Sequence, residues 1–295
     1  MRKKILSLIA CLVIGMLARA ESENPLWMRG GAISPDGNSI AFSYMGNIYT
    51  VPSAGGEAKQ LTTNASYDGH PMWSPDGSML AFCSNREGSL DVFIMSATGG
   101  KAERVTTHSF NEYPAGWLGN DTLLIRRAGN PTVSELTFPG STFTRLYKVA
   151  KSGGRQTLFS AISMDHLSMA SDGRILYNNV KGYEDPWRKH HTSSIARDIY
   201  MKEGGAYKRM TTFAGEDRNP VWAPDGKGYY YLSEKDGTFN VYHSTLGGVS
   251  RQLTSFKGNP VRYLSISSNG LLSFAYDGEL YTLVPGKEPV RVPVK

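Results

Sequence analysis

Cysteine is scarce in this sequence, which has two among its 295 residues, Cys11 and Cys83. Cys11 lies in an amino-terminal segment that we expect to be removed, so Cys83 would remain alone in the mature chain. A single thiol cannot form an intramolecular disulfide or a cysteine-based zinc site. Because Cys83 ends the strand-like run that begins at Leu80, it is predicted to be a small buried hydrophobic residue.

Patterns that mark helices, linkers and common active sites are also missing. No helical apolar period persists over a useful length, and no stretch is low in complexity. The sequence contains no Gly-x-Ser-x-Gly elbow, no His-Glu-x-x-His motif and no glycine-rich phosphate loop. A Ser-His-Asp triad assembled from distant loops stays open as an alternative. The chain by itself is therefore not predicted to be an enzyme, and no cofactor or metal is predicted.

The sequence has a long hydrophobic run, Ile5–Leu17, at its amino terminus. It follows Arg2-Lys3-Lys4 and precedes Ala18-Arg19-Ala20. This order is typical of a secretory signal peptide, and the run is short for a transmembrane helix. We expect residues 1–20 to be removed after Ala20 and the protein to be periplasmic or secreted in a bacterium. An alternative is lipidation of Cys11, because Leu8-Ile9-Ala10-Cys11 resembles a lipoprotein box.

The net charge of the chain is small once residues 1–20 are left out. The full chain has 32 basic and 26 acidic residues, and the first 20 positions hold four of the basic ones and none of the acidic ones. The mature chain thus keeps 28 basic against 26 acidic residues, a net charge of +2. So small a charge provides no general attraction to nucleic acid or anionic lipid.

A repeat runs through the remaining sequence. A large apolar residue stands four positions before a turn glycine, or before the equivalent turn residue, at spacings of 40, 44, 52, 53 and 44 residues. These anchor residues are Ile33, Trp73, Trp117, Met169, Trp222 and Ile266. The turns read Ser-Pro-Asp-Gly or a relative of it, in which proline and glycine preset the backbone angles. The period is that of a propeller blade.

Each repeat also contains an apolar residue followed by an aromatic residue, in the segment expected to be the third strand. The six pairs are Ile48-Tyr49, Val92-Phe93, Leu146-Tyr147, Ile199-Tyr200, Val241-Tyr242 and Leu280-Tyr281. A sheet packed between two other sheets needs bulky side chains on both faces. We therefore predict an all-β fold for residues 21–295, a six-bladed β-propeller of four-stranded antiparallel blades. The predicted blades are approximately 24–63, 64–107, 108–160, 161–212, 213–255 and 256–295.

The phase of the repeat predicts how the ring closes. The chain enters as an innermost strand near 24–32 and leaves as an outermost strand near 290–294, so no blade is shared between the two termini. We expect blades 1 and 6 to be held together by side-chain packing alone.

The repeat resembles that of known propeller families. Pro71-x-Trp73-Ser-Pro-Asp-Gly77, Asp91-Val-Phe93 and Arg104-Val-Thr-Thr107 are similar to the WD-like repeat of TolB-type periplasmic proteins and of the amino-terminal propeller of tricorn-type proteases. Segments 24–29 and 183–193 more closely resemble secreted bacterial tricorn-like serine peptidases. The resemblance implies longer relatives with a PDZ module and a serine peptidase domain, and a catalytic part outside this sequence.

Two functions follow from this resemblance. The first is a non-catalytic propeller module that binds or gates peptide substrates and docks the carboxy-terminal PDZ and serine peptidase module. The alternative is a stand-alone TolB-like scaffold for protein–protein interaction in the periplasm. The partners expected in the first case are peptides or unfolded polypeptide.

Candidate binding residues come from the loops between blades and from two insertions, near 126–142 and 181–197. Loops on a rigid scaffold are where function usually lies, although such loops are also polar simply because they are solvated. The candidates are Asp68, His70, Asp217, Arg218, Arg262, Tyr183, Trp187, Arg188, His190 and His191. Other polar residues on the same face are Glu112, Asp165, His166 and Glu216. A metal site at His190 and His191 is disfavoured, because adjacent side chains of an extended chain point apart.

Overall fold

The computed structural model describes residues 25–128, 143–183 and 192–295. In these ranges the chain forms strands, turns and loops, and it contains no α-helix, so none of the described segments is a helix able to cross a membrane. The strands form six separate four-stranded sheets. This confirms the predicted all-β, six-bladed β-propeller.

Each blade is made of four consecutive strands. The first three blades contain β1 (Arg29–Ile33), β2 (Ser39–Tyr44), β3 (Asn47–Pro52), β4 (Lys59–Gln60), β5 (Asp68–Trp73), β6 (Met79–Glu87), β7 (Ser89–Ser96), β8 (Glu103–Arg104), β9 (Glu112–Leu118), β10 (Thr122–Arg127), β11 (Arg145–Ala150) and β12 (Thr157–Ser160). The other three contain β13 (Met164–Met169), β14 (Ile175–Asn179), β15 (Ile199–Glu203), β16 (Ala206–Arg209), β17 (Asp217–Trp222), β18 (Gly228–Ser233), β19 (Asn240–Thr245), β20 (Ser250–Gln252), β21 (Arg262–Ile266), β22 (Leu272–Tyr276), β23 (Glu279–Leu283) and β24 (Val290–Arg291).

The first strand of every blade lies at the centre of the ring. Within each sheet the strands are antiparallel and follow chain order. Successive first strands contact one another around a closed circle, from β1 through β5, β9, β13, β17 and β21 back to β1. They form the wall of a central channel.

Loops collect on two opposite faces because neighbouring strands alternate in direction. The turn face carries the hairpins between first and second strands and between third and fourth strands. The connection face carries the hairpins between second and third strands and the links between blades. The described parts of the connection face include residues 45–46, 61–67, 105–111, 161–163, 210–216, 253–261 and 277–278.

The Ser-Pro-Asp-Gly turns are held by their own side chains. In blade 2 the Ser74 hydroxyl donates to Asp76 Oδ1 at 2.6 Å and accepts the Met79 amide at 3.0 Å. The same carboxylate oxygen accepts the Ser78 amide at 3.0 Å. The Ser74 bond is the main cause that lowers the pKa of Asp76 to about 2. Gly77 closes the turn at a φ of 73°, which favours glycine.

The third-strand pattern marks the centre of each blade. All six apolar residues of the pairs are completely buried: Ile48, Val92, Leu146, Ile199, Val241 and Leu280. In four blades the amide of this residue donates to the hydroxyl of a threonine that follows the fourth strand. The bonds are Ile48 to Thr62 at 3.0 Å, Val92 to Thr106 at 2.9 Å, Ile199 to Thr211 at 3.0 Å and Val241 to Thr254 at 2.9 Å. The threonine thus pairs an amide at the point where the fourth strand has ended.

The core is divided among clusters that include residues of neighbouring blades. One cluster joins Ala81 and Val92 of blade 2 to Trp117 and Leu123 of blade 3. Cys83 on β6 is fully buried, as predicted, and burial raises the pKa of its thiol to about 12. A buried thiol with so high a pKa is a packing residue.

Two of the three tryptophan anchors, Trp73 and Trp222, also hydrogen-bond to the preceding blade. The indole nitrogen of Trp73 donates to the carbonyl of Ala32 at 2.8 Å, and that of Trp222 donates to the carbonyl of Ser168 at 3.1 Å. Each bond joins the first strands of two neighbouring blades. The anchors therefore fill space between blades and fix the distance between adjacent channel strands.

The ring is closed by backbone hydrogen bonds as well as by side-chain packing, so the prediction of side-chain packing alone was wrong. The Gly56 amide donates to the Pro293 carbonyl at 2.8 Å, and the Lys295 amide donates to the Gly56 carbonyl at 3.0 Å. The Ala58 amide donates to the Lys295 carbonyl at 2.9 Å, and Gly56 forms a parallel bridge with Val294. β24 pairs over two residues only, and the chain after it reaches the connection between β3 and β4 of blade 1. No strand is shared, because each sheet consists of four consecutive strands.

Candidate binding channel

The central channel encloses a cavity of about 650 Å³. Its wall is formed mainly by residues of the six first strands, together with side chains that reach in from neighbouring elements. The charged residues in this wall are Arg126, Asp165, Arg197, Glu216, Arg218 and Arg262, and the histidines are His70 and His166. Asn219 and Tyr263 are further polar residues of the wall.

An irregular backbone turns side chains of the first strands. A register shift interrupts the pairing of first and second strands in every blade. In five blades the residue three positions before the anchor has a positive φ: Gly30, His70, His166, Asn219 and Tyr263. Blade 3 has Pro114 at that position, whose ring forbids a positive φ. A bulge breaks the alternation of a strand and re-aims its side chains.

Asp165 forms ion pairs with two arginines in the channel. Arg126 Nη1 lies 2.9 Å from Asp165 Oδ1, and Arg197 Nη1 lies 2.7 Å from Oδ2. Burial raises the pKa of Asp165, but the charges of its neighbours, Arg126 foremost, outweigh burial and hold the pKa well below its usual range. The carboxylate is therefore charged and joins blades 3 and 4.

His166 faces the same group but stays neutral. Its Nδ1 lies 3.6 Å from Asp165 Oδ2. Limited solvation of the ring between the channel walls is the main cause that lowers the pKa of His166 to about 4. The charges of the nearby arginines also lower this pKa, and the charge of Asp165 opposes the change. At pH 7 this imidazole can donate one hydrogen bond and accept another.

His70 reaches the channel from blade 2. Its ring meets that of Tyr113 edge-on at 5.5 Å, and the guanidinium of Arg126 lies 5.4 Å from the centre of the Tyr113 ring. Limited solvation, with the charge of Arg126, lowers the pKa of His70. The aromatic ring thus connects His70 to the Asp165 group.

A second charged pair lies on the wall formed by blade 5. Arg218 Nη2 is 2.8 Å from Glu216 Oε1, and the Arg218 guanidinium lies 4.2 Å from the centre of the Phe239 ring. Together with Arg262, the charged wall residues in the described part of the chain are four arginines and two carboxylates. Because both histidines are neutral at pH 7, the lining has an excess of positive charge and can attract anionic groups.

Three of the predicted binding residues, His70, Arg218 and Arg262, line the channel. The other two from first strands, Asp68 and Asp217, lie inside the protein wall.

Asp68 is fully buried and pairs with Arg86 Nη2 at 3.0 and 3.2 Å and with Asn64 at 2.6 Å. Asp217 is 1% exposed and has no ion pair among the described residues, although the Ser233 and Thr211 hydroxyls interact with its carboxylate and lower its pKa. Burial is the main cause that raises the pKa of Asp217 to about 6. Neither carboxylate is placed to touch a ligand in the channel.

The blade 4 insertion is described only in part. Tyr183 is 75% exposed on the connection face. Trp187, Arg188, His190 and His191 lie outside the described residues. Within the described ranges, no three His, Cys, Asp or Glu side chains come together in a way that could hold a metal ion.

Sequence reasoning did not single out Arg126 and Arg197, which supply half of the arginines in the channel. They do not belong to first strands: Arg126 lies on β10 and Arg197 just before β15. Each stands at one end of a predicted insertion, and that position is the signal that could have found them.

Comparison with known proteins agrees with this architecture. The sequence model of the tricorn protease N-terminal β-propeller domain matches residues 25–289. Tricorn protease homolog 1 of Streptomyces coelicolor is 25% identical over 270 residues, which are 88% of this chain and 24% of that protein. The chain thus spans about a quarter of the length of this relative.

Solved structures show the same fold. A crystal structure of the tricorn protease superposes with a TM-score of 0.75 at 21% identity, over 90% of this chain and 26% of that one. TolB from Acinetobacter baumannii superposes with a TM-score of 0.58 at 15% identity, over 94% of this chain and 70% of that one. Because the family match extends over nearly all of the described propeller, this chain belongs to the family of tricorn protease N-terminal β-propeller domains.

Proposed function

We propose that this chain is the non-catalytic propeller module of a tricorn-like periplasmic peptidase, and that it binds or gates peptide substrates in its central channel. The observation that carries the proposal is the channel itself, with four arginines and two carboxylates in its wall. A peptide offers carboxylates at its carboxy terminus and on acidic side chains, which arginine recognises well. The neutral histidines add donors and acceptors for peptide groups.

Docking of a PDZ and serine peptidase module belongs to the same proposal. The family match covers a propeller domain, and the region matched in Tricorn protease homolog 1 is 24% of that protein. A propeller with charged groups in its channel and exposed loops on its connection face offers surface for both substrate and catalytic partner.

Arg197→Gln tests the role of the channel charge. Asp165 keeps Arg126 as a partner in this variant, so the fold should remain intact. We expect binding of a short acidic peptide to weaken about threefold to tenfold at low salt, and the salt dependence of binding to decrease. Fluorescence anisotropy of a labelled peptide measures both effects.

Arg291→Gln is the matched control, because this arginine on the outer strand β24 is 55% exposed and pairs with Glu279 at 3.1 Å. Equal binding by wild type and Arg197→Gln would contradict a role for the channel charge. Binding of one folded envelope protein, with no binding of peptides, would favour the TolB-like scaffold instead.

A periplasmic or secreted location is part of the proposal and has its own test. Expression of the full chain in a bacterial host should give a mature protein that begins at Glu21. Amino-terminal sequencing and fractionation check this outcome. A lipid-modified Cys11, or an intact amino terminus in the cytoplasm, would contradict it.

A further inference from the structure

Large hydrophobic side chains that stay exposed are concentrated on the connection face. Of the thirteen such residues in the described ranges, eight lie there: Leu26, Trp27, Met45, Tyr67, Phe110, Phe143, Ile162 and Tyr183. The turn face and the outer strands carry the other five. Single exposed hydrophobic residues are ordinary, but a contiguous group on one face indicates a contact surface.

Trp27 and Met45 are unusual within this group. Trp27 is 70% exposed and has a φ of 70°, and Met45 is 82% exposed and has a φ of 47°. A left-handed backbone is costly for a bulky residue, and exposure of its apolar surface to water is also unfavourable. Neither cost is offset by burial within the described protein. Strain of this kind tends to occur where a residue has a functional role.

The turn that contains Met45 has the same geometry as its counterpart in blade 6. Both are two-residue hairpin turns, Met45-Gly46 and Asp277-Gly278, and both residues of each have positive φ. This backbone favours Asn-Gly or Asp-Gly. Blade 6 follows the preference and blade 1 does not, so Met45 is not explained by the turn.

Four of the exposed residues lie around the hairpins 45–46 of blade 1 and 277–278 of blade 6, and we call them the blade 1 patch: Leu26, Trp27, Met45 and Tyr67. Leu26 and Trp27 lie against Gly278 in the hairpin between β22 and β23, and the Met28 amide donates to the Gly278 carbonyl at 3.1 Å. Tyr67 packs against Gly46, and its neighbour Asp68 donates its amide to the Gly46 carbonyl at 2.8 Å.

Positive charge lies beside this patch. Tyr263 lies in the channel wall, and burial raises its pKa. The charges of Arg262 and Arg29 oppose that rise, so both arginines are near Tyr263. The charge of Arg29 likewise opposes the raised pKa of Tyr67, for which burial is the main cause. Arg29 thus lies close to Tyr67 of the patch and next to Gly30 in the channel wall, which also contains Arg262.

We propose that the blade 1 patch is a contact site for an extended polypeptide that carries apolar side chains next to carboxylates. Its apolar side chains contact Trp27 and Met45, and its carboxylates lie toward Arg29 and Arg262. The proposal rests on the proposed function, because it specifies which polypeptides reach the channel. Charge complementarity favours an acidic polypeptide over a basic one.

Met45→Asn provides the main test. Asparagine suits the left-handed turn better than methionine and removes the apolar side chain. We expect the thermal midpoint to equal or exceed that of wild type, while affinity for a short labelled peptide of Leu, Phe, Ser and Glu falls about tenfold. Trp27→Ala should weaken binding to a similar degree. Val249→Ser is the control, because this valine is 72% exposed on the turn face.

Peptide variants test the chemistry of the ligand. Replacement of Glu by Lys, or of Leu and Phe by Ser, should each abolish most of the binding to the wild-type protein. Unchanged affinity of Met45→Asn, or equal binding of the Lys peptide, would overturn the proposal. A change in sedimentation of the patch variants without a change in peptide binding would mean that a second copy occupies the patch.

The two proposals fail in different ways. If peptide binding depends on Arg197 but not on Met45, the channel function stands and the blade 1 patch is wrong. If the wild-type protein binds none of the peptides, both proposals are wrong.

Discussion

At the scale of single residues, two aspartates show how context changes the role of one residue type. Asp68 and Asp217 both begin a first strand and occupy the same register position opposite the second strand. Asp68 is paired with Arg86, whereas the corresponding Lys235 donates to the Tyr231 hydroxyl at 3.0 Å. Asp217 is thus buried without an ion pair, and its charged form is unfavourable in the folded protein.

This difference predicts a dependence of stability on pH. The pKa of Asp217 is about 6 in the folded protein against 3.8 for an ordinary aspartate, so the folded state holds the proton more tightly. The free energy of unfolding should therefore decrease as pH rises from about 4 through about 6, and level off once Asp217 is ionised in the folded protein as well. Asp217→Asn should raise the free energy of unfolding above pH 7 by about 2–3 kcal/mol and have little effect near pH 4. Urea denaturation at several pH values measures this.

Asp121→Asn is the control for that experiment, because the Asp121 side chain is 85% exposed in its pair with Lys151. The control should show no such pH dependence. Equal stabilities of wild type and Asp217→Asn at pH 7 and above would show that the buried carboxylate is compensated in the folded protein.

At the scale of elements, each blade depends on a few side chains that complete the short fourth strand. The threonine after that strand accepts the amide of the buried third-strand residue, as Thr106 does for Val92. Thr106 is 1% exposed, so water cannot replace the lost bond. The same bond recurs at Thr62, Thr211 and Thr254, which explains why the motif repeats in the sequence.

Thr106→Val should cost about 1–3 kcal/mol of stability, because the shape is kept while the buried amide of Val92 loses its partner. Thr106→Ser keeps the hydroxyl and should lose less. Thermal denaturation and hydrogen exchange at the Val92 amide measure the two effects. Protection of that amide in Thr106→Val equal to that in wild type would contradict the assigned bond.

At the scale of the whole molecule, the carboxy-terminal segment joins blade 6 to blade 1. Val292 and Val294 are each 1% exposed and belong to a cluster with Met28, Ile33 and Phe42 of blade 1. Backbone bonds of residues 293–295 to Gly56 and Ala58 accompany this packing. Ring closure thus combines a hydrophobic contact with main-chain pairing.

Val294→Ala should lower the free energy of unfolding by about 2 kcal/mol, because it leaves a cavity between the two ends of the ring. Val290→Ala is the matched control, since Val290 on β24 is 62% exposed. Urea denaturation compares the variants. A loss no greater than that of the control would mean that the segment does not contribute to closure.

The sequence by itself determined the architecture of this protein. Local chemistry specifies each blade: the Asp76 turn is held by residues within five positions, and the buried third-strand residue is followed by its threonine partner within 14 positions. Interactions of such short range leave a signal that repeats along the chain. The blades, their number and the burial of Cys83 could therefore be predicted.

Only the tertiary structure decided what meets at the channel and at the ends of the chain. Arg126 and Arg197 reach Asp165 across 39 and 32 positions, and Gly56 bonds to Pro293, far along the chain. Asp68 and Asp217 look alike in sequence, yet Asp68 has an ion pair with Arg86 and Asp217 has none among the described residues. Such contacts arise when curved blades close into a ring, and no local pattern records which side chains that closure brings together.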